Sequence, residues 1–283
     1  MNYLEEKAIL HFIDAALAED VGDGDHSSLS SIPKDAESKA KLIVKGQGIL
    51  AGVALAEKIV HRVDPSLRIE VFIQDGSPVK YGDIGFHLYG NVQSILKAER
   101  LVLNCMQRMS GIATLTAEIV AKISHTKAKL LDTRKTTPNF RIPEKWAVKI
   151  GGGENHRFGL FDMIILKDNH VDYAGGIKKA IESSREYLKR NNKDLRIEIE
   201  TRNLDEVQQA LDTGGIHRIM LDNMDIATMK KAVEMIAGRY EVEASGGVTA
   251  ETIRSIAETG VDFISVGALT HSVKSMDISL KAF

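Results

Sequence analysis

The chain has 283 residues, 43 % of them hydrophobic, so it can bury a full core as one large domain or two modest ones. Its formal net charge of −2 argues against the broad basic surface that a general nucleic-acid or membrane-surface binder needs. The single cysteine, Cys105, excludes an intrachain disulfide and a thiolate-cluster zinc site, and its apolar surroundings predict a buried structural thiol.

The first part of the chain mixes helix and strand patterns. Residues 1–20 carry apolar side chains at helical spacing, and the Gly-, Asp- and Ser-rich stretch VGDGDHSSLSS after them predicts a loop. Strands are predicted at KAKLIVKG, LRIEVFIQDG and DIGFHLYGNV, with a helix, VALAEKIVHRV, between the first two. The run SILKAERLVLNCMQRMSGIATLTAEIVAKI predicts one or two long helices, which completes an N-terminal α+β unit.

The second half repeats a shorter pattern. Six apolar runs that end in polar residues begin near residues 129, 162, 195, 217, 240 and 262, and helical patterns separate the later ones. This alternation predicts βαβ units and a parallel sheet, and the number of units favours closure into a barrel over the alternative, an open doubly wound sheet. The strand-end side chains should then converge on one face of the barrel: Asp132, Arg134, Lys167, Asp168, Glu200, Asp222 and Ser245.

The N-terminus begins with acids and lacks the basic-then-apolar order of a signal peptide. No run approaches the roughly 18–20 apolar residues that a membrane span needs. We therefore expect a soluble, cytoplasmic protein that binds neither nucleic acid nor membranes.

Two late strand ends, EASGGVTAET and ISVGALTHS, contain glycine. Gly246 and Gly247 would let backbone amides approach a ligand, and Thr249 would cap the following helix. Free N–H groups at a helix N-terminus bind phosphate, and the loops after the last two strands are where α/β barrels keep such sites. The alternative is that the glycines only make tight turns.

A local excess of positive charge lies in residues 132–157, which hold six Lys or Arg against three acids. Arg134 and Lys135 follow one strand, His156 and Arg157 follow a glycine-rich turn, and Lys167 ends another strand. The cations could pair with Asp132, Glu200 and Asp222, could bind a polyanion, or could include a Schiff-base lysine at Lys167. The number of guanidinium groups favours a polyanion, because arginine binds carboxylate and phosphate in bidentate fashion.

Glu200 and Asp222 close adjacent predicted strands. They could orient sugar hydroxyls or hold the waters of a magnesium ion, or they could be counter-ions to the lysines. Ligation of a metal by histidine has little support, because His156, His170 and His271 show no paired helical spacing. These features together predict a site for a phosphorylated sugar and a second acidic molecule.

The sequence resembles the quinolinate phosphoribosyltransferase family along nearly its whole length. The matching blocks are ALAEDVGDGD, AERLVLNCMQRMSGIAT, LDTRKTTP, KWAVKIGGGENHR, GLFDMIILKDNH, IEIE, IMLDN, EASGG and GVDFISVGALTHSVKSMDISL. The resemblance implies an N-terminal α/β sandwich domain, residues 1–112, and an incomplete TIM-like α/β barrel, residues 113–283, whose last residues pack back on the first domain. It also implies a homodimer or higher oligomer in which Arg100 reaches the site of the neighbouring subunit.

The resemblance assigns roles by position. Catalytic roles fall to Lys135, Lys167, Glu200 and Asp222, and Glu200 and Asp222 would also hold Mg²⁺ through water or substrate. Substrate contacts would come from these four together with Arg100, Thr133, Arg134, His156 and Arg157. The 5′-phosphate would be bound by Ser245, Gly246, Gly247, Ser265, Val266, Gly267 and Ala268, with His271 close by.

The implied reaction joins quinolinate to the ribose of phosphoribosyl pyrophosphate, with loss of CO2 and pyrophosphate, to give nicotinate mononucleotide in de novo NAD biosynthesis. No organic cofactor is expected, because the pyridinium ring is itself the electron sink. Departures from the family pattern are small: Ser for the usual Thr in GDHSSLS, PNFR for PGLR, and one extra residue in TGGIH. The alternatives are a related phosphoribosyltransferase with another acidic acceptor, a Schiff-base aldolase barrel, and a non-enzymatic metabolite-binding barrel.

Overall fold

Helices and strands alternate along residues 5–283, the part of the chain that the computed structural model describes. In chain order they are α1 Glu6–Val21, α2 His26–Ser31, β1 Glu37–Val44, β2 Gly48–Ile49, α3 Val53–Val63, β3 Arg68–Val71, β4 Pro78–Val79, β5 Ile84–Asn91, α4 Val92–Ile123, β6 Lys129–Leu131, α5 Arg141–Ile150, β7 Ile164–Leu166, α6 Asp168–Ala174, α7 Ile177–Arg190, β8 Ile197–Thr201, α8 Leu204–Thr213, β9 Arg218–Asp222, α9 Ile226–Ile236, β10 Glu241–Ser245, α10 Ile253–Ala257, β11 Phe263–Ser265, α11 Ala268–His271 and β12 Ile278–Ala282.

The sequence patterns predicted β1, β3 and β5 and all six strands of the parallel sheet, β6 to β11, but not the strands β2, β4 and β12 or the helices α5 and α11. The helix predicted at VALAEKIVHRV is α3, and the longest apolar run forms one continuous helix, α4. The helix predicted for residues 1–20 is α1 as far as it is described, since residues 1–4 lie outside the described part. One prediction was wrong: part of the expected loop after α1 is the short helix α2, because the Asp25 side chain accepts the N–H of Ser28 at 3.1 Å and caps it.

The chain divides into two compact units. Unit 1 contains residues 1–117, 135–152 and 268–283, and unit 2 contains residues 118–134 and 153–267. Each unit contains more than one segment of the chain, whereas the sequence predicted two domains separated at one point, between residues 112 and 113. That domain boundary stays a prediction.

Unit 1 is built on an antiparallel sheet with the strand order β12-β1-β5-β3. The last strand pairs with β1 over five residues, from Val44 opposite Ile278 to Ala40 opposite Ala282. Side chains that alternate along β1 and β5, such as Leu42 and Phe86, are fully buried, and α3 supplies Ile59 to the same core. The sheet therefore contains strands from both ends of the chain.

The cysteine of α4 is part of this buried core. Cys105 is fully buried, and burial raises the pKa of its thiol to about 12. This confirms the structural thiol that the sequence predicted. None of the described helices is long and apolar enough to span a membrane.

Glu144 on α5 is a buried carboxylate that ties several segments of unit 1 together. It accepts hydrogen bonds from the Arg108 guanidinium at 2.9 and 3.1 Å, and from the N–H and hydroxyl of Thr137, each at 3.0 Å. Arg108 also donates to the carbonyl oxygens of Thr270 and Val273. Because the Thr270 hydroxyl donates to the carbonyl of Lys135 at 2.8 Å, this ion pair fixes the segment that carries Lys135.

We expect Glu144→Ala to lower the free energy of unfolding by about 3 kcal/mol, because it leaves the Arg108 charge and the Thr137 donors without their shared acceptor. Urea unfolding at a fixed protein concentration measures the change. Glu182→Ala, which removes one partner of an exposed pair with Lys178, is the control and should change the free energy by less than about 0.5 kcal/mol. Equal stability of Glu144→Ala and the wild type would contradict this account of the pair.

Unit 2 is a parallel sheet of six strands in the order β6-β11-β10-β9-β8-β7. A further parallel bridge pairs Leu131 with Glu154 beside β6, and side chains from β8 and β10 meet residue 156 on the inner face. Arg218 of β9 lies 3.8 Å from the β8 side chain, Glu198. The sheet is therefore curled. The predicted class, an incomplete parallel α/β barrel with a separate N-terminal domain, is confirmed.

The strands of unit 2 have one apolar face and one charged face. In β8 every residue is buried, yet Ile197 and Ile199 alternate with Glu198 and Glu200. Because side chains on a strand point alternately to the two faces, the isoleucines face one side of the sheet and the glutamates face the other. In β8 the apolar side chains therefore lie only on the side of the sheet that helices cover.

Candidate active site

The carboxyl ends of the parallel strands bring together most of the polar residues that the sequence singled out in unit 2. Ser245 at the end of β10 lies opposite Asp222 at the end of β9, and Glu200 lies one residue before the end of β8. Ser265 ends β11, and the next residue, Val266, donates its N–H to the carbonyl of Leu131 at 3.0 Å. The strand ends of β6, β11, β10, β9 and β8 thus form one continuous edge.

Lys167 follows β7 and pairs with Glu200. Its Nζ lies 3.1 Å from Oε2 of Glu200, and the N–H of Asp168 approaches the other oxygen at 3.4 Å. The Lys167 side chain is half exposed, whereas the Glu200 side chain is only 6 % exposed. The ion pairing that the sequence left open as an alternative therefore exists for this lysine.

Arg134 and Arg157 lie close enough for their charges to repel each other. Burial and the neighbouring charge of Arg134 lower the pKa of the Arg157 guanidinium, although it stays protonated. Arg157 donates to the carbonyl of Met163 at 2.9 Å. Among the described residues, neither guanidinium forms an ion pair with a carboxylate. The two arginines therefore concentrate positive charge at this point of the barrel, although Glu198 and Asp162 offset part of the effect at Arg157.

The loop after β10 needs its two glycines. Gly246 and Gly247 have φ angles of 89° and 60°, in the left-handed region that favours glycine. A Cβ at Gly246 would also overlap the side chain of Asn223, whose N–H donates to the carbonyl of Ser245 at 2.9 Å. The following helix α10 begins only at Ile253, so Thr249 is not its N-cap; its hydroxyl instead accepts the N–H of Thr252 at 3.3 Å within a preceding turn.

The remaining predicted residues are distributed over both units. Thr133 belongs to unit 2 and follows β6, and Gly267 follows β11 in the same unit. In unit 1, Arg100 is exposed on α4, Lys135 is exposed in the segment before α5, and Ala268 and His271 lie on α11. The His271 ring lies 2.5 Å from the hydroxyl of Ser272.

His156 points into the barrel. Its side chain is only 6 % exposed, and Nε2 lies 3.2 Å from a carboxylate oxygen of Glu198 and 3.2 Å from one of Glu243, both of them fully buried. Arg218 on β9 lies 2.7 Å from the same oxygen of Glu243 and 3.8 Å from Glu198. We refer to His156, Glu198, Arg218 and Glu243 as the inner cluster.

The backbone around His156 is held as well. The buried Asp132 accepts the N–H of His156 at 2.9 Å and the side-chain amide of Asn155 at 2.5 Å. The N–H of Arg157 in turn donates to Nδ1 of the His156 ring at 2.7 Å. Both ring nitrogens therefore have partners inside the protein.

The protons of the inner cluster are shared among its members. Burial opposes a charge on His156, but Glu198 and Glu243 outweigh it and raise the pKa of the ring to about 9. That value describes an imidazolium, whereas the N–H of Arg157 needs a lone pair on Nδ1. The backbone fixes the direction of that N–H, so Nδ1 is the nitrogen that carries the lone pair.

The pKa values of the two glutamates in the inner cluster shift in opposite directions. Burial and the charge of Glu243 raise the pKa of Glu198. Burial also opposes the charge of Glu243, but His156 and Arg218 lower its pKa. His156 and Arg218 balance Glu198 and Glu243 whether the shared proton lies on the ring or on a glutamate, so these four residues carry no net charge.

Two groups of residues could hold a cation. His156, Glu198 and Glu243 offer ligand atoms within 4.8 Å of one another, the only such group of three found among the described residues. The guanidinium of Arg218 already occupies this space with positive charge, which disfavours a metal ion there. Glu200 and Asp222 offer the oxygen ligands that Mg²⁺ prefers, at the strand ends.

Four residues of this region were not predicted from the sequence: Glu198, Arg218, Glu243 and Asn223. A signal for the first three was present: each precedes a strand-end residue by an even number of positions in IEIET, RIMLD and EVEAS, so each shares the face of Glu200, Asp222 or Ser245. Asn223 directly follows Asp222 and has a φ angle of 53°.

Comparison with known proteins identifies related sequences and structures. The family model of the quinolinate phosphoribosyl transferase C-terminal domain matches residues 112–281, and that of the N-terminal domain matches residues 25–110. A mitochondrial quinolinate phosphoribosyltransferase [decarboxylating] of Nicotiana tabacum is 51 % identical over 94 % of this chain and 80 % of its own length. A probable nicotinate-nucleotide pyrophosphorylase [carboxylating] of Bacillus subtilis is 39 % identical over 99 % of this chain and 94 % of its own.

Solved structures agree with the sequence matches. The nicotinate-nucleotide pyrophosphorylase of Francisella tularensis superimposes with a TM-score of 0.88 and 40 % identity, over 97 % of this chain and 96 % of that one. Human nicotinic acid phosphoribosyltransferase shares the fold alone, with a TM-score of 0.64 and 12 % identity over 96 % of this chain and 73 % of that one. With both domain models matched and relatives near 50 % identity, the chain belongs to the quinolinate phosphoribosyltransferase family.

Proposed function

We propose that this protein transfers the phosphoribosyl group of phosphoribosyl pyrophosphate to quinolinate, with decarboxylation, to give nicotinate mononucleotide, CO2 and pyrophosphate. This is the decarboxylating step that feeds NAD biosynthesis. The observation that carries the proposal is the proximity of Arg134 and Arg157 at the edge of the barrel, where two like charges call for an anion. Membership of the family supports the same reaction.

The basic residues would bind quinolinate as a dianion. Arg134 and Arg157 each offer a planar fork of donors that matches one carboxylate. By their positions in the family pattern, Lys167, Lys135 and a neighbouring subunit's Arg100 would add positive charge, and Thr133 would add a hydroxyl donor. A ring with a single carboxylate would leave part of this charge unpaired, so the site should discriminate strongly in favour of the diacid.

The chemistry consists of one substitution and one loss of CO2. The lone pair of the pyridine nitrogen forms a bond to C1 of the ribose, and the C1–O bond breaks with its electron pair leaving on pyrophosphate. Positive charge that develops at C1 would be stabilised by the carboxylates of Glu200 and Asp222. The C–C bond to the carboxylate beside the ring nitrogen then breaks, its electrons are taken up by the pyridinium, and a proton replaces CO2.

The loops after β10 and β11 would bind the 5′-phosphate. Ser245, Gly246 and Gly247 supply backbone N–H groups at a position where the left-handed glycines let the chain approach a ligand closely. Ser265, Val266, Gly267 and Ala268, with His271 nearby, complete this part of the proposal. Holding both substrates at fixed positions reduces the entropic part of the barrier.

Magnesium is the cofactor that the oxygen ligands of Glu200 and Asp222 fit, and no organic cofactor is needed. Glu200 is largely buried at the strand ends, and its neighbour Asp222 is partly buried. Mg²⁺ keeps several waters and binds phosphates, so these carboxylates would hold it through water or substrate. When bound, it would neutralise the charge of pyrophosphate.

We further propose that the protein is cytoplasmic and works as a homodimer or larger oligomer, with Arg100 supplied to the site of the neighbouring subunit. Arg100 is exposed on α4, which leaves its side chain available to a second copy of the chain.

Direct assays distinguish the proposed reaction from the alternative functions. Related phosphoribosyltransferases would prefer a different acidic acceptor, so turnover of nicotinate in place of quinolinate would favour them. A Schiff-base aldolase would be trapped on Lys167 by borohydride with a carbonyl substrate, but this lysine is half exposed and paired with Glu200, unlike the desolvated pocket of such enzymes. A metabolite-binding barrel would bind without turnover. The purified protein with quinolinate, phosphoribosyl pyrophosphate and Mg²⁺, followed for released CO2 and nicotinate mononucleotide, is the test.

We expect Arg134→Ala and Arg157→Ala each to lower kcat/KM for quinolinate by roughly 100-fold, because each removes a bidentate partner of a carboxylate. Steady-state kinetics of CO2 release measure the effect. Arg190→Ala, at the exposed end of α7, is the matched control and should leave the kinetics unchanged. Unaltered kinetics in either site variant would count against the proposed function.

Glu200→Gln and Asp222→Asn should each lower kcat by roughly 100-fold, because they remove negative charge near C1 and weaken the hold on Mg²⁺. Treatment with EDTA should abolish turnover by the wild type, and added Mg²⁺ should restore it. Glu186→Gln on the exposed face of α7 is the control. Full activity in EDTA would overturn the assignment of magnesium.

Subunit mixing tests Arg100. If this residue acts across an interface, homodimers of Arg100→Ala and homodimers of Glu200→Gln are each inactive. Random mixing of the two variants makes half of the dimers mixed, and each mixed dimer has one complete site. The mixture should therefore recover about a quarter of the wild-type activity. Native mass spectrometry verifies exchange. Exchange without recovery would show that Arg100 and Glu200 serve the same site from one subunit.

A further inference from the structure

A buried histidine directly precedes Arg157, and both of its ring nitrogens lie close to groups of the protein itself. The side chain of His156 is 6 % exposed, with Nε2 between the fully buried carboxylates of Glu198 and Glu243. Nδ1 accepts the N–H of Arg157 at 2.7 Å. A ring held in this way cannot donate to a substrate without giving up one of these contacts.

The ring connects the barrel interior to Arg157. On one side it meets carboxylates from β8 and β10, and Arg218 from β9 fixes Glu243 at 2.7 Å. On the other side it accepts the main-chain N–H of Arg157, the residue whose guanidinium is influenced by the charge of Arg134. The turn after Arg157 is fixed separately, because Asp162 accepts the N–H groups of Phe158 and Gly159 at 2.7 and 2.9 Å.

We propose that His156 is a positioning residue: the inner cluster clamps its imidazole, and Nδ1 fixes the main chain of Arg157 so that the guanidinium meets a substrate carboxylate. His156 itself does not touch the substrate. This differs from the direct contact with quinolinate that the family resemblance implied. The inference rests on the proposed function only for the identity of the acid that Arg157 binds.

The physical reason lies in the repulsion between Arg134 and Arg157. Two guanidinium groups on flexible side chains move apart unless something holds them. The hydrogen bond to Nδ1 holds Arg157 at its backbone, and the bond to the carbonyl of Met163 holds its guanidinium. Loss of the first should affect binding of the acid more than the chemical step.

Two substitutions of His156 test the contacts of its two ring nitrogens separately. In His156→Gln the longer amide reaches toward Glu198 and Glu243 but offers no acceptor near Nδ1. In His156→Asn the shorter amide places an acceptor near Nδ1 but does not reach the glutamates. His217→Gln is the matched control, because the His217 ring also accepts a backbone N–H, from Ile197 at 3.0 Å, at the opposite end of the strands.

We expect His156→Gln to raise KM for quinolinate about tenfold, with kcat and KM for phosphoribosyl pyrophosphate within about twofold of the wild type. His156→Asn should recover much of the loss, and His217→Gln should change neither constant. A fall in kcat with unchanged KM in His156→Gln would overturn the proposal.

A double-mutant cycle decides between positioning and direct contact. If His156 acts through Arg157, adding His156→Gln to Arg157→Ala produces no further loss of kcat/KM for quinolinate. If His156 contacts the substrate itself, the second substitution lowers kcat/KM by the same factor as in the wild-type background, and the proposal fails.

Nitrogen NMR of the histidines tests the geometry without relying on turnover or on a variant that folds. The His156 signals, assigned by comparison with His156→Gln or His156→Asn, should show an unprotonated Nδ1 and a protonated Nε2, with no change when quinolinate is added. A protonated Nδ1 could not accept the N–H of Arg157 and would overturn the proposal. If the wild-type protein does not turn over quinolinate, the proposed function fails, while the NMR result still decides whether His156 holds Arg157.

Discussion

The barrel of unit 2 depends on the mutual neutralisation of charges that its strands carry away from water. Alternation along β8, β9 and β10 sends isoleucine, leucine, valine and alanine to one face, where helices cover them, and sends Glu198, Arg218 and Glu243 to the other. Burying any one of these ions alone would cost several kcal/mol. Together with His156 they form a set without net charge, so each member is tolerable only because the others are present.

The same face changes character at the ends of the strands. Two residues beyond Glu198, Glu200 pairs with a half-exposed lysine, and Arg134 lies beside Arg157 without a carboxylate partner. Water reaches this edge, so positive charge there does not need full compensation from the protein. The interior is balanced, whereas the edge presents two arginines without carboxylate partners, whose charge a dianion can neutralise.

The sequence predicted the elements and the strand-end residues better than the chemistry of the interior. The period of the apolar runs identified all six strands of the barrel, because each strand ends where a polar residue meets the edge of the sheet. The same period does not reveal depth: Glu198 and Glu200 are the same residue type on the same face, and only the closed sheet makes one a buried neighbour of histidine and the other a partner of lysine. For His156 the deciding contact is the parallel bridge between Leu131 and Glu154, two residues that no sequence pattern connects. This bridge places the following residues so that the His156 ring points into the barrel. The predicted N-cap of α10 was wrong for a related reason. Whether Thr249 or Thr252 directly precedes the helix depends on the path of the loop after β10.

The charge-balanced interior also holds the arginines at the edge in position to bind a dianion. Crowded guanidinium groups bind a dianion well only if they are already in position, because a site that must first draw repelling charges together loses that free energy from binding. Arg157 is anchored at its N–H by a ring whose other nitrogen is fixed among buried carboxylates, and the turn that follows is anchored by Asp162. The repulsion between Arg134 and Arg157 is therefore opposed by contacts formed during folding, before any ligand arrives. A dianion that bridges the two arginines removes the repulsion, and its binding should in turn stabilise the folded barrel.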